Sequence, residues 1–233
     1  MVGGVSALGL LPPGQQERAD FPRFGLSAYA RRFAQQVDRV ELALVGPAGT
    51  ALLQAPLAGL PRAEQVSDFH CVTTWSHRSL RWSGVRFADF YERHFAARFD
   101  AAPGVMALVF RGQDGYRTAL LLEDLLAADV LLVDRLNDLP LSLAHGAPLR
   151  LVAPAQNGYK SVKHLCRIEF SAGPAKLKKG ALAFLDHPRA RVALEERGRW
   201  FPGWLLRHAY RPLVKPAVAE FARALAEHER QDR

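Results

Sequence analysis

One cysteine, Cys71, stands in a segment whose composition could support thiolate chemistry, residues 68–85. Two Trp, two His and several hydroxyl side chains surround it, together with Arg78 and Arg81. Nearby cationic groups favour the thiolate over the thiol, and a thiolate binds a soft metal or attacks an electrophile. A buried cysteine at the end of a strand explains the same residues without any chemistry. Composition alone leaves both interpretations open.

A second set of residues, further along the chain, could hold an anion. His145 to Arg150 reads HGAPLR, and residues 158–163 read GYKSVK. Small residues beside Arg, Lys and Ser allow backbone amides and side chains to enclose a phosphate. A polar turn with solvated lysines fits these residues about equally well. Glycine patterns of nucleotide-binding loops are absent, as are the serine-hydrolase elbow and the metalloprotease helix motif.

The elements that must position these residues are short strands followed by helices. The clearest helix is predicted over residues 86–98, where apolar side chains recur at helical spacing. Glycine-rich residues 112–115 join two apolar runs, which predicts a hairpin. This order indicates a mixed α+β fold and not a doubly wound sheet. The strands are predicted at 40–45, 105–110, 116–122, 130–133, 149–152 and 167–170, and further helices at 187–197 and 213–229.

Composition limits the class of protein. The 233 residues are 49% hydrophobic and 23% charged, which indicates a folded domain, and no apolar run is long enough to cross a membrane. Two cysteines cannot form a disulfide framework, so a reducing, cytoplasmic location is expected. The net charge of +8 arises in residues 151–233, where 16 basic residues face 8 acidic ones. A nucleic-acid surface, an anionic-cofactor pocket or a solvated helical tail would each show this excess.

Three segments in order resemble the molybdopterin-binding oxidoreductases of the sulfite oxidase family. The first joins residues 71–76 to 81–85, the second joins 136–141 to 145–152, and the third is 158–170. The resemblance covers about residues 64–171. It implies an α+β domain with a mixed sheet of the sulfite oxidase type, followed by a helical C-terminal tail.

The resemblance also implies roles for particular residues. Cys71 would be the catalytic residue and the molybdenum ligand, with the other sulfurs supplied by the dithiolene of a molybdopterin and oxo or hydroxo groups completing the sphere. The residues expected to contact the cofactor are Arg23, His145, Arg150, Ser161, Val162 and Lys163. His145 occupies a position that is Asn in the bacterial methionine-sulfoxide-reductase branch. Arg23 is a candidate because residues 21–25 occupy the place of the family's N-terminal pterin contacts.

We therefore expect a flexible arm over residues 1–20, a molybdopterin-binding domain over 21–185 and a helical extension over 186–233. The N-terminal residues lack a twin-arginine pair, so an export signal is not expected. The expected reaction is two-electron oxygen-atom transfer on a small sulfur or nitrogen oxo compound. Because the chain has no haem motif, we expect a separate electron-transfer partner, and no nucleic-acid partner.

Three alternatives stay open at this point. Cys71 could be the nucleophile of a thiol-dependent enzyme that uses a histidine base. The basic last third could instead make the protein a cofactor-free binding module. A family member that binds the pterin without turnover is the third.

Overall fold

The computed structural model describes residues 9–35, 38–47, 49–96, 107–171 and 186–231. Within these ranges the chain forms two sheets and a C-terminal pair of helices, which confirms the α+β class. The strands are β1 (Gln16–Glu17), β2 (Leu42–Gly46), β3 (Gly49–Leu53), β4 (Arg62–His70), β5 (Trp75–Arg86), β6 (Ala107–Gly112), β7 (Arg117–Leu121), β8 (Leu131–Leu136), β9 (Leu139–Pro140), β10 (Arg150–Val152) and β11 (Leu165–Ser171). The helices are α1 (Phe87–Tyr91), α2 (Leu122–Leu125), α3 (Gly203–Tyr210) and α4 (Val214–Gln231).

The first sheet is built on the long strand β5. Strand β4 pairs with it antiparallel as a hairpin, β8 pairs with it antiparallel on the other side, and β10 follows β8. The short strands β1 and β9 extend this sheet, β1 running parallel to β5. The order of the second sheet is β3-β2-β11-β6-β7, with one parallel pair, β2 and β11.

The main core lies between the two sheets. In strand β8, Leu132 faces this core, whereas Leu131 and Val133 face a second cluster around Trp82. Successive side chains of a strand point to opposite faces, so an apolar run buries both. The turn of π-helix after α1 continues to Ala96, and the buried face of the combined segment is Phe87, Phe90, Tyr91 and Phe95.

Most predicted elements are confirmed, with bounds that shift by one to three residues. Strand β2, the β6–β7 hairpin, β8, β10 and β11 correspond to the predicted strands. The predicted helix over 86–98 is present from Phe87 to Ala96, and its last two residues lie outside the described ranges. The predicted helix over 213–229 is α4.

The predicted helix over residues 187–197 is wrong. This segment forms turns, with a single bridge between Arg191 and Gln156. Ala190 and Glu195 have positive φ angles. The side-chain amide of Asn157 donates hydrogen bonds to the carbonyls of Ala190 and Glu196 at 3.0 and 3.2 Å. These tertiary contacts replace the intrahelical hydrogen bonds of the helix that Pro188, a residue suited to a first helical turn, favoured.

The interpretation of residues 1–20 as a loose arm is corrected where the chain is described. The Gln16 amide donates to the Thr74 carbonyl at 2.8 Å, and the Arg18 amide donates to the Ser76 carbonyl at 2.8 Å. This segment therefore forms an edge of the first sheet, next to the turn that carries Cys71. Residues 1–8 lie outside the described ranges.

None of the helices in the described ranges is both long enough and apolar enough to span a bilayer.

We predict that Gly84→Ala destabilises the first sheet. A Cβ at Gly84 would collide with the Leu132 carbonyl and approach the Val133 Cα to 2.6 Å, so neighbouring strands would have to separate. Overpacking of this kind costs about 1–3 kcal/mol of unfolding free energy. Denaturant unfolding measures the loss. Val66→Thr, at a half-exposed position of β4, is the control and is expected to change stability by less than about 0.5 kcal/mol. Equal stability of the two variants would contradict the prediction.

Candidate functional site

A cavity of about 390 Å³ lies at the end of the first sheet, where β4 turns into β5. Cys71 lines one part of it. The anion-binding segments of the sequence line the same cavity, so residues more than 70 positions apart meet there. All seven predicted site residues are among the lining residues: Arg23, Cys71, His145, Arg150, Ser161, Val162 and Lys163.

Cys71 occupies the tight turn between β4 and β5. Its amide donates to the Trp75 carbonyl at 2.8 Å, and its carbonyl accepts from the Thr74 amide at 3.1 Å. Thr74 adopts the left-handed conformation, with φ of 84°, which closes the turn. The Gln15 side-chain amide also donates to the Cys71 carbonyl, at 3.0 Å. The backbone at Cys71 is thus held from both sides, while Sγ contacts the Thr73 hydroxyl at 3.1 Å.

The surroundings of the Cys71 thiol shift its pKa in two opposite directions. Burial raises the pKa of the thiol, and the hydrogen bonds from Thr73 and the positive charges of Arg197 and Lys163 act in the other direction. Burial has the larger effect, so the thiol is protonated at neutral pH in the protein alone. A soft cation that binds Sγ therefore displaces a proton.

Arg150 is a buried cation with an unused donor. Its side chain is 2% exposed, and its Nη1 donates to the His145 carbonyl at 2.9 Å. Its Nε is buried without a hydrogen-bond partner, and no carboxylate in the described residues forms a salt bridge with it. Burial lowers the pKa of Arg150 to about 9. Burying a charge without a counterion is costly, so this position favours an anionic ligand.

Lys163 adds a second cation on the same side of the cavity. Its Nζ donates to the carbonyl of Ala144 at 3.3 Å and that of Phe24 at 3.5 Å. Burial, followed by the charges of Arg150 and Arg23, lowers the pKa of Lys163 to about 7. Gly146 permits this packing, because a Cβ there would lie 3.1 Å from the Cβ atoms of both Arg150 and Lys163, and its φ of +108° favours glycine.

Two histidines complete this part of the cavity in their neutral forms. Burial lowers the pKa of His145 to about 3, assisted by Arg150 and Lys163, and its ring stacks on Phe21 with centroids 4.6 Å apart. Burial likewise lowers the pKa of His164 to about 4, and its Nδ1 lies 2.6 Å from the Ala147 carbonyl. A neutral ring in that position donates from Nδ1, which leaves Nε2 as an acceptor. The sequence pattern did not single out His164.

Ser161 and Val162 contribute mainly to the architecture of the cavity wall. The Ser161 hydroxyl accepts from the Ala153 amide at 3.2 Å, and its own proton is free to be donated elsewhere. Val162 is 1% exposed and belongs to the main core, and its carbonyl accepts from the Leu151 amide at 2.9 Å. This loop is therefore fixed to β10 before any ligand binds.

Arg23 lines the cavity, but most of its donors are already used. Its guanidinium donates to the carbonyls of Ala30 at 2.6 Å and Arg32 at 2.8 Å. Its Cζ lies 4.3 Å from the Phe33 ring centroid and 4.9 Å from that of Phe221, which is a cation–π geometry. Arg23 thus ties the N-terminal segment to α4, and its contact with a cofactor stays a prediction.

The structure adds Arg197, which the sequence pattern did not indicate. Its side chain is 1% exposed and lines the cavity, and it donates to the Val72 carbonyl at 2.7 Å and to the Pro13 carbonyl at 3.0 Å. It joins the C-terminal extension to the Cys71 turn across 125 positions of sequence. Its Nε also contacts the Glu195 carboxylate at 3.4 Å, but no local signal marks the residue, because the carbonyls that it holds are far away in the chain.

Three residues close to Cys71 in sequence lie away from the cavity lining. His77 contacts the Arg18 carbonyl at 3.0 Å, Arg78 pairs with Glu17 at 3.1 Å and exposed Arg81 pairs with Asp138 at 3.2 Å. They stabilise the strand pairing and the surface around the turn.

A molybdenum-bound molybdopterin fits this donor set. The cavity offers one soft sulfur, and in its other wall it offers a buried guanidinium with an unused Nε and a lysine, both suited to a phosphate. Across the described ranges, no three His, Cys, Asp or Glu side chains are grouped as a metal site.

We predict that Lys163→Met stabilises the cofactor-free protein below pH 7. The pKa of Lys163 falls from 10.5 to about 7 on folding, so the unfolded chain binds more protons between these pH values and stability rises with pH there. Below pH 7 the full cost of burying the charge is present, and removing it should gain about 1–2 kcal/mol. Denaturant unfolding at several pH values measures this. The gain should shrink towards pH 10.5, and Lys215→Met at an exposed position should show no gain. A gain independent of pH would contradict the prediction.

We also predict that Arg197→Gln weakens the fold around Cys71. The substitution leaves the Val72 and Pro13 carbonyls without their charged donor, which should lower the free energy of unfolding by about 1–3 kcal/mol. Arg81→Gln, which removes an exposed ion pair on the same hairpin, should cost less than about 1 kcal/mol. Chemical denaturation of the two variants compares these costs, and similar losses would show that Arg197 does not support the turn.

Known proteins resemble the part of the chain that contains Cys71 and Arg150. Residues 39–178, which are 140 of the 233, match the family model described as "Oxidoreductase molybdopterin binding domain". The chain is 32% identical over 165 residues to the uncharacterized oxidoreductase YuiH of Bacillus subtilis (strain 168), covering 70% of this chain and 80% of YuiH. Cys71 and the residues of the anion-binding wall between 145 and 163 lie inside the matched range, whereas Arg23 and Arg197 lie outside it.

More distant similarities cover smaller parts of larger proteins. The protein-methionine-sulfoxide reductase catalytic subunit MsrP of Xanthomonas axonopodis pv. citri (strain 306) is 31% identical over 134 residues, which are 52% of this chain and 41% of MsrP. The chain thus spans about two fifths of MsrP. Among solved structures, the sulfane dehydrogenase SoxCD from Paracoccus pantotrophus superposes with a TM-score of 0.49 at 19% identity, covering 57% of this chain and 38% of that chain. On the family match and the similarity to YuiH, the chain belongs to the molybdopterin-binding oxidoreductases of the sulfite oxidase family, whose cofactor is molybdenum-bound molybdopterin.

Proposed function

We propose that this protein catalyses two-electron oxygen-atom transfer on a small sulfur or nitrogen oxo compound, with Cys71 as the protein ligand of molybdenum. One observation supports this most: Cys71 and the cations Arg150 and Lys163 line a single cavity. When bound, the cofactor supplies the metal that accepts or donates two electrons together with an oxygen atom.

The residues around Cys71 exclude water from the thiol. Cys71, Trp75 and Val214 form a buried cluster, against which Phe24 and Phe69 pack. In such apolar surroundings each charge interaction is stronger than in water. The Thr73 hydroxyl, 3.1 Å from Sγ, can donate to the thiolate and hold its lone pair in one direction. These side chains therefore orient the sulfur and shield it.

The cations that line the cavity would bind the anionic end of the cofactor. Arg150 is fixed by its bond to the His145 carbonyl and lies 4.9 Å from the Trp82 ring centroid. Lys163, with its pKa near 7, takes up a proton when an anion binds beside it. Cofactor affinity should therefore fall as the pH rises above 7. His145 stays neutral and offers one ring nitrogen as donor and the other as acceptor.

The sulfur substrate class is supported by the similarity to MsrP, which is named for methionine-sulfoxide reduction. A buried thiolate ligand beside an aromatic lining also suits a small, weakly polar substrate. Electrons would be exchanged with a separate redox protein. A two-electron reaction of the substrate needs a second redox partner, and the sequence shows no haem motif that could serve as one. A cytoplasmic location is part of this proposal.

The alternative of a cysteine nucleophile lacks a positioned base. Within the part of the chain that the structure describes, Sγ of Cys71 forms its hydrogen bond with Thr73 and with no histidine. Burial also raises the pKa of this thiol, which disfavours the free nucleophile.

Metal analysis tests the proposed function. Wild-type protein from a host that makes the cofactor should carry about one molybdenum per chain and a thiolate-to-molybdenum absorption band that mild reductant bleaches. Cys71→Ser should lose the band and reduce turnover of sulfoxides or N-oxides, with an artificial electron donor, by at least about a thousandfold.

Cys166→Ser is the matched control, because Cys166 is the second free cysteine and lies outside the cavity lining. It should retain the metal, the band and the turnover. Metal-free wild-type protein, or a Cys71→Ser variant with the full band, would refute the assignment of Cys71. A metallated wild-type enzyme that turns over neither substrate class would refute the proposed reaction.

A further inference from the structure

An apolar surface lies on the C-terminal part of the chain, at the start of helix α3. Its residues are Trp200, Trp204 and Leu205, with exposed fractions of 59%, 56% and 47%, and we call it the tryptophan face. Of the twelve large hydrophobic side chains that are exposed in the described ranges, six lie between positions 194 and 213. Such a concentration of exposed apolar side chains marks an interaction site and not scattered surface residues.

Helix α3 presents this face because its inner side is already occupied. Leu206 and Tyr210 point inward and are buried, so Trp204 and Leu205 lie on the outer side. Gly203 at the start of the helix packs directly on the Glu195 backbone, where any Cβ would collide. The Arg207 side chain contacts Glu195 at 3.5 Å. The helix therefore cannot turn its apolar outer side towards the core.

The charged side chains of the segment that carries the tryptophan face have one sign, and the neighbouring Glu195 is paired with Arg197 and Arg207. Residues 197–215 contain five basic side chains and no Asp or Glu. Two of the basic residues serve internal contacts, since Arg197 holds the Cys71 turn and Arg207 pairs with Glu195. Arg211 and Lys215 are exposed on the helical segment that follows the face. Tryptophan and leucine beside exposed cations are typical of helices that lie in the interface of an anionic bilayer.

We propose that the tryptophan face, with Arg211 and Lys215, binds the protein peripherally to a lipid surface that carries anionic headgroups. The apolar side chains would enter the headgroup region, and the cations would be attracted to the negative surface potential. The inference concerns this surface alone and is independent of the proposed reaction.

The size and charge of the face favour a lipid surface over other occupants. Its three side chains expose roughly 400 Å², because an aromatic side chain buries about 150–250 Å² in full. A stable protein interface buries about 800 Å² on each partner. A symmetric pairing of two copies would also bring the same exposed cations together, which opposes association.

Vesicle binding tests the proposal directly. Purified protein is sedimented with vesicles of phosphatidylcholine alone and of phosphatidylcholine mixed equally with phosphatidylglycerol. We expect binding to the mixed vesicles, at least about tenfold weaker binding to phosphatidylcholine and a decrease with added salt. Because Trp75 and Trp82 are buried, a blue shift of tryptophan emission on vesicle binding would report on Trp200 and Trp204.

Matched variants separate the face from non-specific adsorption. Trp204→Ser with Leu205→Ser should weaken binding to the mixed vesicles at least about tenfold, and Arg211→Glu with Lys215→Glu should abolish the preference for anionic lipid. Leu52→Ser with Leu139→Ser removes exposed leucines elsewhere and should leave binding unchanged. Unchanged melting temperatures show that each variant is folded.

Several results would overturn the proposal. Equal binding of the Trp204 and Leu139 variants would show that the face is not involved. Emission from Trp200 and Trp204 that acrylamide cannot quench would show that another part of the chain covers the face. Light scattering that finds a dimer in the wild type and a monomer in the Trp204 variant would identify a second copy as the occupant. The molybdenum content and the absorption band of the same samples report separately on the proposed function.

Discussion

The burial of Arg150, with which no carboxylate of the described residues forms a salt bridge, is the constraint on which this site depends. Arg150 is almost fully buried, with an unpartnered Nε, and Lys163 lies beside it with a pKa lowered to about 7. Such an arrangement costs stability in the free protein and is relieved when an anion binds. The same charges therefore explain cofactor affinity, its pH dependence and the gain in stability expected when Lys163 becomes apolar.

The position of the Cys71 thiol depends on hydrogen bonds to the backbone of its turn more than on the contact of its side chain with Thr73. The Cys71 turn is closed by its hairpin and held by Gln15 from the N-terminal segment and Arg197 from the C-terminal extension. Both lie outside the range that matches the family model. Segments that flank the domain thus complete its site, and removing either should loosen the sulfur.

Cys71 and the cations that line the cavity suit different ligands. The sulfur suits a soft metal, and the cations suit phosphate oxygens. Sγ of Cys71 lies among aromatic and aliphatic side chains that keep water away, whereas Arg150 and Lys163 lie where phosphate oxygens can accept their hydrogen bonds. One cavity therefore brings together a residue that would hold the metal and residues that would hold the phosphate of the proposed cofactor. The cytoplasmic location and the reaction remain proposals that rest on this arrangement and on the family.

The sequence by itself indicated the family and six of the eleven described strands, but not β4 and β5, on which the first sheet is built. Motif residues such as Cys71 and Arg150 carry their donor atoms wherever they lie, and alternating apolar strands bury the same faces in most contexts. Only the tertiary structure decided that residues 187–197 are not helical, that Arg197 reaches Val72 and that Arg23 is largely used by backbone carbonyls. These outcomes depend on contacts between residues far apart in the chain and on burial, which no local pattern encodes.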